Sequence, residues 1–581
     1  MTPFKKLVSY FAPYKGKVAF GIVCVFLTNL LKLNSPIVLR NAVDTLTQNT
    51  TQGKLYEYAG LVILIAVAQG IFLFTQRRVL INMSRDIEYD LRNDFYEHLQ
   101  KLPFEFYQKN RTGDLMARAT NDLGQVRMIV GPALMYTANT VFSFVLMLPI
   151  MFRISWQLTL MAFCSVPLVA FATHYFSKRI HDRFQEVQEY FGTVSNRAQE
   201  SLSGVRVIRA YAQEQAEINQ FRQVNREYVN RNLNLIKLSA IFHPLLQICI
   251  GLGFIAVLWF GGRLVIQDQI TVGQFFQFNL YLGYLIWPMI ALGWVINIFQ
   301  RGMASMERMH KIMSVEPAIR DTEETQNIPE IRGEIEFRNL TFYYEGAKEP
   351  ALRDINLHIA AGQTVAFVGA VGSGKSTITN LVPRLLDAER GQVLIDGHPI
   401  QEIPLRVLRS SIGYVPQETF LFSENLAENI AFGVEQAGRE EIEQSAEEAG
   451  IATDIKEFPK GFETLVGERG ITLSGGQKQR TAIARALIRR PKILILDDSL
   501  SAVDTYTEEK ILHHLREIMV GRTSLIVSHR VSTVKDADLI VVLENGRIVE
   551  RGDHESLIAH GGLYAELYEK QLLEEELAAT S

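Results

Sequence analysis

The chain has 581 residues, enough for three or four domains of average size. Its formal net charge of −4 gives no electrostatic reason to expect nucleic-acid binding. Its three cysteines, Cys24, Cys164 and Cys249, lie in apolar runs, which argues against a disulfide framework or a metal site and favours buried packing. The overall apolar fraction of 48% is ordinary, but the long apolar runs are confined to the N-terminal half of the chain.

The first predicted element is an amphipathic helix at the N-terminus. Apolar residues recur there at helical spacing, with lysines around them, namely Phe4, Leu7, Val8 and Phe11. We expect this helix to lie on the inner membrane surface, and an ordinary solvated terminus is the alternative. We expect no cleavable signal peptide, because the segment lacks a short apolar core followed by small residues.

Six apolar stretches follow, each near or above the roughly 20 residues that cross a bilayer. They cover residues 18–40, 57–76, 131–152, 155–176, 239–261 and 274–299. Lysine and arginine are concentrated in the long polar segments after the second and fourth stretches, whereas the opposite loops carry little beyond Lys54, Arg153 and Arg263. This bias predicts that both long segments, the N-terminus and the C-terminal half lie in the cytoplasm.

The two long polar segments are too long to be plain loops, so we expect the spans to continue as helices below the membrane. The helical pattern breaks within each segment, near residues 106–124 and 200–215. Simple helical hairpins are the alternative interpretation of these breaks.

Lys32 lies near the middle of the first predicted span, flanked by Asn29 and Asn34. A charged side chain is costly in hydrocarbon and by default faces a cavity or a partner. A substrate cavity, snorkelling to the surface and a structural ion pair all remain open for Lys32.

The C-terminal half begins after a polar linker. We predict a transmembrane domain over residues 1–312, a linker over 313–333 and a globular domain over 334–581. The fold class is therefore a multi-domain membrane protein. It has an all-α domain of six transmembrane helices with long cytoplasmic extensions, followed by an α/β domain.

Residues 369–376 read Gly-Ala-Val-Gly-Ser-Gly-Lys-Ser, between an apolar strand pattern at 365–368 and a helical pattern from 377. Glycines let the backbone N–H groups turn onto a phosphate at the start of a helix. Lys375 can reach the β- and γ-phosphates, and the Ser376 hydroxyl can ligate Mg²⁺. The motif predicts ATP and Mg²⁺ as ligands, and it makes the C-terminal α/β domain a P-loop nucleotide-binding domain. The predicted contacts are Gly369, Gly372, Ser373, Gly374, Lys375, Ser376 and Thr377.

A second motif, Leu-Ser-Gly-Gly-Gln at residues 473–477, follows about a hundred residues later. Together the two motifs resemble the ABC exporter half-transporters of type IV, and the resemblance covers essentially the whole chain. In that family this segment of one subunit closes over the ATP held by the other, which implies a dimer. The residues implied to contact the partner's nucleotide are Ser474, Gly475, Gly476 and Gln477.

The resemblance also implies contacts between domains and subunits. The breaks near 106–124 and 200–215 resemble the coupling helices that rest on the ATPase domain. Residues 467–470 resemble the loop that meets a coupling helix, and Asp504 looks like the aspartate of the dimer contact.

Four positions match residues around the nucleotide in the family. Tyr344 matches the aromatic on which adenine stacks, with Tyr343 as the competing candidate. Gln417 matches the glutamine that contacts Mg²⁺ and senses the membrane domain. Asp497 fits the carboxylate that holds Mg²⁺, and His529 matches the switch histidine near the γ-phosphate. The resemblance thus implies Ser376, Gln417 and Asp497 as metal ligands.

Asp498 departs from the family pattern, because most exporters have at this position a glutamate that polarises the attacking water. Aspartate keeps the charge but loses one methylene, about 1.5 Å of reach. Misplacement on that scale can cost about a hundredfold in rate. In the family this substitution marks the weakened ATP site of heterodimers whose other subunit keeps the glutamate. We therefore predict a heterodimer with reduced hydrolysis at this site, with Asp498, His529 and Gln417 as its catalytic residues; a homodimer is the alternative.

The predicted function is ATP-driven export by alternating access in a bacterial inner membrane. The resemblance implies lipophilic compounds as cargo, with a second half-transporter subunit and membrane lipids as partners. A lipid floppase for lipid A-like molecules or phospholipids, working as a homodimer, is the alternative. A soluble ABC ATPase that acts on nucleic acid shares the phosphate loop but lacks six spans.

Overall fold

The structure is a computed structural model that describes residues 2–46, 52–163, 166–323, 325, 328, 330–467, 470, 472–498 and 517–580. The chain divides into two compact units. The first comprises Met1–Glu97 and Gly113–Ser314, and the second comprises His98–Thr112 and Val315–Ser581. Residues 98–112, which the sequence prediction includes in the transmembrane domain, thus group with the second unit. The predicted boundaries at 312 and 333 stay a prediction.

The described part of the first unit is helical. With the short helix that belongs to the second unit, the elements in chain order are α1 Pro3–Ser9, α2 Lys15–Leu46, α3 Gln52–Lys101, α4 Phe104–Lys109, α5 Thr112–Ala117, α6 Leu123–Met128, α7 Leu134–Ile154, α8 Trp156–Phe163, α9 Val166–Ser203, α10 Val205–Ala210, α11 Glu214–Ile266 and α12 Val272–Met313. The short helices α4, α5 and α10 fall where the sequence predicts breaks in the two long polar segments.

Five helical stretches in the described residues are long and apolar enough to cross a membrane: Pro3–Leu46, Gln52–Lys101, Thr112–Ile154, Glu214–Ile266 and Val272–Met313. They contain the first, second, third, fifth and sixth predicted spans. The fourth predicted span includes residues 164 and 165, which lie outside the described residues, and it stays a prediction. Cys24 and Cys249 are buried with free thiols. Cys164 lies outside the described residues.

The N-terminal segment is held against α3 by side-chain hydrogen bonds. Leu7 of α1 is buried, whereas Phe4 and Val8 are exposed. The hydroxyl of Tyr10 donates to Asp94 at 2.6 Å, and that of Tyr14 donates to Asp90 at 2.8 Å. These bonds fix the segment against the C-terminal part of α3, and its predicted membrane-surface position stays a prediction.

The helical run from α5 to α7 contains two π-helical stretches, Arg118–Asp122 and Ile129–Ala133. Such stretches replace the regular hydrogen-bond pattern and need support from neighbouring elements. Asp122 receives hydrogen bonds from Ser305 Oγ at 2.9 Å and from Arg308 Nε at 3.0 Å, both on α12. Gly302 approaches the second stretch so closely that a Cβ there would lie 2.4 Å from Ile129 Cδ1. The two π-helical stretches therefore pack against α12, the first through hydrogen bonds and the second through close contact at Gly302.

The second unit contains two β-sheets. The strands are β1 Ile335–Phe342, β2 Leu352–Ile359, β3 Thr364–Gly369, β4 Val393–Ile395, β5 His398–Pro399, β6 Ile412–Val415, β7 Ile493–Asp497, β8 Thr523–Val527, β9 Leu539–Glu544 and β10 Arg547–Gly552. The smaller sheet has the order β2-β1-β4-β5 and is antiparallel. The larger has the order β10-β9-β3-β8-β7-β6, in which only the β10-β9 pair is antiparallel.

The described helices of the second unit after α12 are α13 Lys375–Leu381, α14 Leu405–Ser410, α15 Leu426–Ala431, α16 Arg439–Glu448, α17 Ala452–Glu457, α18 Gly475–Leu487, α19 Val531–Val534, α20 His554–His560 and α21 Leu563–Thr580. The larger sheet is buried on both faces, as parallel sheets are. Val365 and Phe367 of β3 pack into one hydrophobic cluster, and Ala366 and Val368 pack into the other. β3 is therefore packed on both faces up to its end at Gly369, where the phosphate-loop motif begins.

Candidate nucleotide site

The parallel strand order brings the predicted site residues to one edge of the larger sheet. Because β3, β8, β7 and β6 are adjacent and parallel, their carboxyl ends lie side by side. The glycine-rich loop follows β3, Asp497 ends β7, Gln417 follows β6 and His529 follows β8. Residues that are up to 160 positions apart in the sequence thus share one edge.

Two glycines of the loop are required by its backbone geometry and close packing. Gly369 has a φ of +149°, and a Cβ there would lie 2.1 Å from the carbonyl oxygen of Leu543. Gly374 has a φ of +101°, precedes α13, and a Cβ would lie 2.7 Å from Leu352 Cδ2. At Gly372, where φ is +83°, the space around a Cβ is open. The loop is thus packed tightly at both ends and open at its middle, which suits a phosphate cradle.

Lys375 points back into this loop. Its Nζ donates hydrogen bonds of 2.8 Å to the carbonyl oxygens of Gly369 and Ala370, and Ser373 Oγ lies 3.5 Å away. The side chain is buried, and this burial lowers the pKa of the Lys375 ammonium, while Asp498 and Asp497 act in the opposite direction. An anion in the loop would favour the charged form, so the residues fit a polyphosphate.

Asp497 is joined to α13 by two hydroxyl groups. Ser376 Oγ donates to its Oδ1 and Thr379 Oγ1 donates to its Oδ2, both at 3.1 Å. Asp497 is 2% exposed, and burial raises the pKa of its carboxyl group, whereas the two hydroxyl hydrogen bonds act to lower it. A hydroxyl and a carboxylate are hard oxygen ligands of the kind that Mg²⁺ binds next to phosphates. The donor set therefore fits Mg²⁺.

Thr379 is a residue that the sequence reasoning missed. It follows Ser376 by three positions on α13, so both hydroxyls face the same direction. That spacing is a signal in the sequence, but it has meaning only once the carboxylate of β7 is known to lie beside α13.

Asp498 adopts a left-handed backbone conformation, with φ of +45°, directly after β7. Its N–H donates to the carbonyl oxygen of Val527 at 2.8 Å, which ties it to the end of β8. Gln417 Nε2 donates to its Oδ2 at 3.4 Å. The structure thus brings Gln417 and Asp498 together beside Asp497.

Tyr344 and Tyr343 have different surroundings. The hydroxyl of Tyr344 lies 3.0 Å from Thr377 Oγ1, and its ring packs edge-on against Phe342 at a centroid distance of 5.2 Å. The side chain of Tyr343 is 53% exposed. Of the two tyrosines, Tyr344 is therefore the one that contacts the start of α13.

His529 lies in the short segment between β8 and α19. Its carbonyl oxygen accepts a hydrogen bond from Gln571 Nε2, and Gln571 Oε1 accepts one of 2.7 Å from Val531 N. Gln571 of α21 thus holds the backbone of this segment from both sides. No pattern in the sequence indicates this tether, because Gln571 is the last of three consecutive polar residues, 569–571, in the C-terminal helix.

The Leu-Ser-Gly-Gly-Gln motif forms the start of α18. Ser474 is the N-cap: its Oγ accepts from Gln477 N at 3.3 Å, and Gln477 Oε1 accepts from Ser474 N at 3.0 Å. Gln477 Nε2 also donates to Asp454 at 3.0 Å. Ser474 and Gly475 are exposed and Gly476 is half-buried. The reciprocal cap leaves this helix start on the surface of the described unit.

Arg485, farther along α18, joins this helix to the segment after Gln417. Its guanidinium donates to Phe420 O, Asn429 O and Asn429 Oδ1, each at 2.8 Å. Burial lowers the pKa of Arg485 to about 10. The sequence reasoning missed Arg485, since its partners are carbonyl and amide groups rather than charged residues. Asp504 and residues 468 and 469 lie outside the described residues.

Comparison with known proteins assigns both halves of the chain. The family model of the ABC transporter transmembrane region matches residues 18–289, and the model described as ABC transporter matches residues 352–501. The chain is 40% identical to YheI, a probable multidrug resistance ABC transporter ATP-binding/permease protein of Bacillus subtilis (strain 168). That match covers 98% of this chain and 97% of the relative.

Two further matches extend over nearly the whole chain. An ATP-dependent lipid A-core flippase of Syntrophus aciditrophicus (strain SB) is 36% identical, over 99% of this chain and 96% of the relative. The solved structure of a bacterial Atm1-family ABC exporter with ATP bound superimposes with a TM-score of 0.79 at 28% identity. It covers 96% of this chain, and the match covers 98% of that structure. The resemblance inferred from the motifs is thereby confirmed.

Proposed function

The chain belongs to the ABC transporter family, as a half-transporter with one transmembrane and one ATP-hydrolysing domain, and on that premise we propose that it exports lipophilic compounds of the multidrug type. Export would occur across the cytoplasmic membrane by alternating access, with the N-terminus and the ATPase domain in the cytoplasm. The similarity to a relative named for multidrug resistance over nearly its full length supports this cargo class.

We assign the nucleotide contacts to the edge of the larger sheet. Lys375 would neutralise the β- and γ-phosphates within the cradle that begins at Gly369, and Tyr344 would stack on adenine. Ser376, Gln417 and Asp497 would hold Mg²⁺, and His529 would contact the γ-phosphate. Phosphoryl transfer depends mainly on positioning and charge neutralisation, which is what these residue types supply.

We further propose that the chain works in a dimer with two shared ATP sites. The helix start at Ser474, Gly475 and Gly476, of which the first two are exposed, would close over the nucleotide of the second subunit, with Gln477 fixing the cap. Backbone N–H groups at such a helix start can stabilise the charge that develops on the γ-phosphate. A lone subunit would then have two half-sites and no complete one.

The second subunit is proposed to be a different chain, and one observation carries this proposal. Asp498 occupies the position at which most exporters carry the glutamate that polarises the attacking water, and an aspartate side chain is shorter than a glutamate by one methylene. A dimer with one weakened site would keep its turnover if its other site retained full activity. The complete Leu-Ser-Gly-Gly-Gln segment of this chain would complete that site.

Purification of the chain from its native membrane tests the dimer type. We expect a second ABC subunit with glutamate at the position equivalent to Asp498 to accompany it in equal amount. Recovery of a dimer of this chain alone, with brisk ATP hydrolysis that Asp498→Glu does not accelerate, would contradict the heterodimer. ATP-dependent uptake of a lipophilic dye into inverted vesicles tests the cargo class.

A lipid floppase working as a homodimer is the second candidate. The lipid A-core flippase relative, 36% identical over 99% of this chain, favours it. A fluorescent phospholipid that crosses the bilayer on addition of ATP, together with absence of dye uptake by the same preparation, would support the floppase over the multidrug exporter.

A further inference from the structure

Lys32 places a positive charge deep in the membrane part of the first unit. It lies twelve residues before Asp44 on α2, which corresponds to about 18 Å along the helix. Asp44 is bound to the start of α12 by Thr271 Oγ1 at 2.9 Å and by Gly273 N at 2.8 Å. Tyr284 lies twelve residues after Val272, again about 18 Å along α12. A distance of about 18 Å from this end of both helices corresponds to the middle part of a hydrocarbon layer about 30 Å thick, which agrees with the place of Lys32 within the predicted span at 18–40.

The contacts of Lys32 leave its charge only weakly compensated. Its Nζ lies 4.5 Å from the centroid of the Tyr284 ring. Within the described residues no carboxylate lies within 4.0 Å of this ammonium. An aromatic face attracts a cation, but it carries no net charge with which to neutralise one.

The neighbours of Lys32 show that it faces other helices. One turn earlier on α2, Asn29 donates to Asn139 Oδ1 on α7 at 2.8 Å and accepts from Ser143 Oγ at 2.7 Å. The backbone carbonyl oxygen of the next residue, Leu33, accepts a hydrogen bond of 2.8 Å from the Tyr281 hydroxyl on α12. Lys32 therefore lies on the side of α2 that packs between α7 and α12. A lysine that snorkels would extend along the lipid-facing side of its helix to the membrane surface, and Lys32 instead lies between two neighbouring helices.

We propose that Lys32, backed by the ring of Tyr284, binds the anionic group of an amphiphilic cargo. The inference rests on the proposed export function and names the substrate class for it. A buried ammonium gains most from a counter-ion when the local dielectric constant is low, and a sulfonate, carboxylate or phosphate supplies one. A free amphiphile and an anionic lipid headgroup both present this charge, and the experiment below distinguishes the two sources.

The face of α12 next to Tyr284 suits the apolar part of such a cargo. Trp287, Ile290 and Trp294 follow at helical spacing and are 60%, 49% and 43% exposed. Trp294 also packs edge-on against Tyr136 at a centroid distance of 5.1 Å. A cargo whose anionic group binds Lys32 could place its apolar chain along this row of side chains. The ammonium and the exposed apolar face of α12 would then both be in contact with the cargo.

The test compares two dansyl-labelled dodecyl probes that differ only in their permanent charge, a sulfonate and a trimethylammonium. Each is offered to the complete transporter, purified with its partner and reconstituted in proteoliposomes. We expect Lys32→Met to lower ATP-dependent accumulation of the sulfonate about tenfold or more, because the counter-ion contact is lost. Accumulation of the ammonium probe should change less than about twofold.

Two matched variants separate charge from structure. Lys32→Arg keeps the cation and should retain most sulfonate transport, whereas Lys32→Gln keeps a polar side chain without the charge and should lose sulfonate transport as Lys32→Met does. A parallel measurement of fluorescent phosphatidylglycerol and phosphatidylcholine identifies the source of the anion. Loss confined to phosphatidylglycerol would support a lipid headgroup, and loss confined to the sulfonate would support a free amphiphile.

Failure of the inference is distinguishable from failure of the export function. If the unmodified transporter accumulates neither probe and moves neither lipid, the export function fails and the inference fails with it. If it accumulates the ammonium probe but no anion, export stands and the role of Lys32 is overturned. Equal loss of both probes in Lys32→Met also overturns it, and is the result expected if a carboxylate of the second subunit pairs with Lys32.

Discussion

Gln417 Nε2 donates a hydrogen bond of 3.4 Å to Asp498 Oδ2, although the two residues are 81 positions apart in the sequence. Gln417 follows β6 and Asp498 follows β7, and these strands are adjacent and parallel. The backbone of Asp498 is also fixed, because its N–H donates to the carbonyl oxygen of Val527. The length of the Asp498 side chain therefore limits how far its carboxylate can extend towards the attacking water. The reach of this carboxylate is therefore the property to vary first.

Asp498→Glu should raise the rate of ATP hydrolysis at this site by up to about a hundredfold, which would about double the total rate of a heterodimer whose other site is fully active. The added methylene extends the carboxylate by about 1.5 Å while its charge is unchanged. Steady-state phosphate release measures the effect, and Asp498→Asn serves as the control, in which the rate should not rise. An unchanged rate in Asp498→Glu would mean that the length of this side chain does not limit turnover.

Asp497→Asn should make the nucleotide-free protein slightly more stable at neutral pH, by about 1 kcal/mol, while it abolishes Mg²⁺-dependent turnover. Burial raises the pKa of Asp497, so the folded protein keeps its proton where the unfolded chain has lost it. The free energy of unfolding therefore decreases as the pH rises from the ordinary pKa of an aspartate carboxyl group through the raised pKa of Asp497. Mg²⁺ requires the ionised form, so its affinity should weaken as the pH falls through the same window.

Thermal unfolding with and without Mg²⁺ and ATP, at several pH values, checks this expectation. Thr379→Val is the matched control, because it removes one hydroxyl donor but leaves the charge in place. A variant Asp497→Asn that is as strongly stabilised by Mg²⁺ and ATP as the unmodified protein would contradict the assignment of Asp497 as a metal ligand.

Gly369→Ala and Gly372→Ala should differ sharply in their effect. At Gly369 a methyl group would collide with the carbonyl oxygen of Leu543, which belongs to β9 and cannot move without breaking the sheet. At Gly372 the space is open, so only the backbone conformation is disfavoured, at about 1 to 2 kcal/mol. We expect that Gly369→Ala prevents the second unit from folding, whereas Gly372→Ala folds but binds ATP more weakly. Equal thermal stability of the two variants would disprove the difference.

Arg308→Met should destabilise the first unit by about 3 kcal/mol, more than Asp122→Asn does, at about 1 kcal/mol. The side chain of Asp122 is 8% exposed, whereas that of Arg308 is 45% exposed. Removal of the arginine leaves a buried carboxylate without its main partner, while removal of the charge on Asp122 leaves an arginine that water can reach. Thermal unfolding in detergent compares the two variants, and the reverse order of stability would contradict this account.

The phosphate-loop motif was predictable because its signal is local. An apolar strand pattern, a glycine-rich stretch and a helix occupy consecutive residues, and the structure has β3 and α13 at those places. Thr379 and Arg485 were not predictable, because each acts through partners from distant segments. Thr379 has a role only beside Asp497, and Arg485 only beside the carbonyl groups of Phe420 and Asn429.

The sequence by itself determined the class of the protein, because apolar length, charge bias and two nucleotide motifs are properties of consecutive residues. Only the tertiary structure decided which side chains meet. The order of parallel strands placed Gln417, Asp497 and Asp498 at one edge, and helix packing placed Lys32 over Tyr284. Contacts of this kind depend on how separate elements pack against one another, and residue spacing along the chain does not encode that packing in a form that can be read directly.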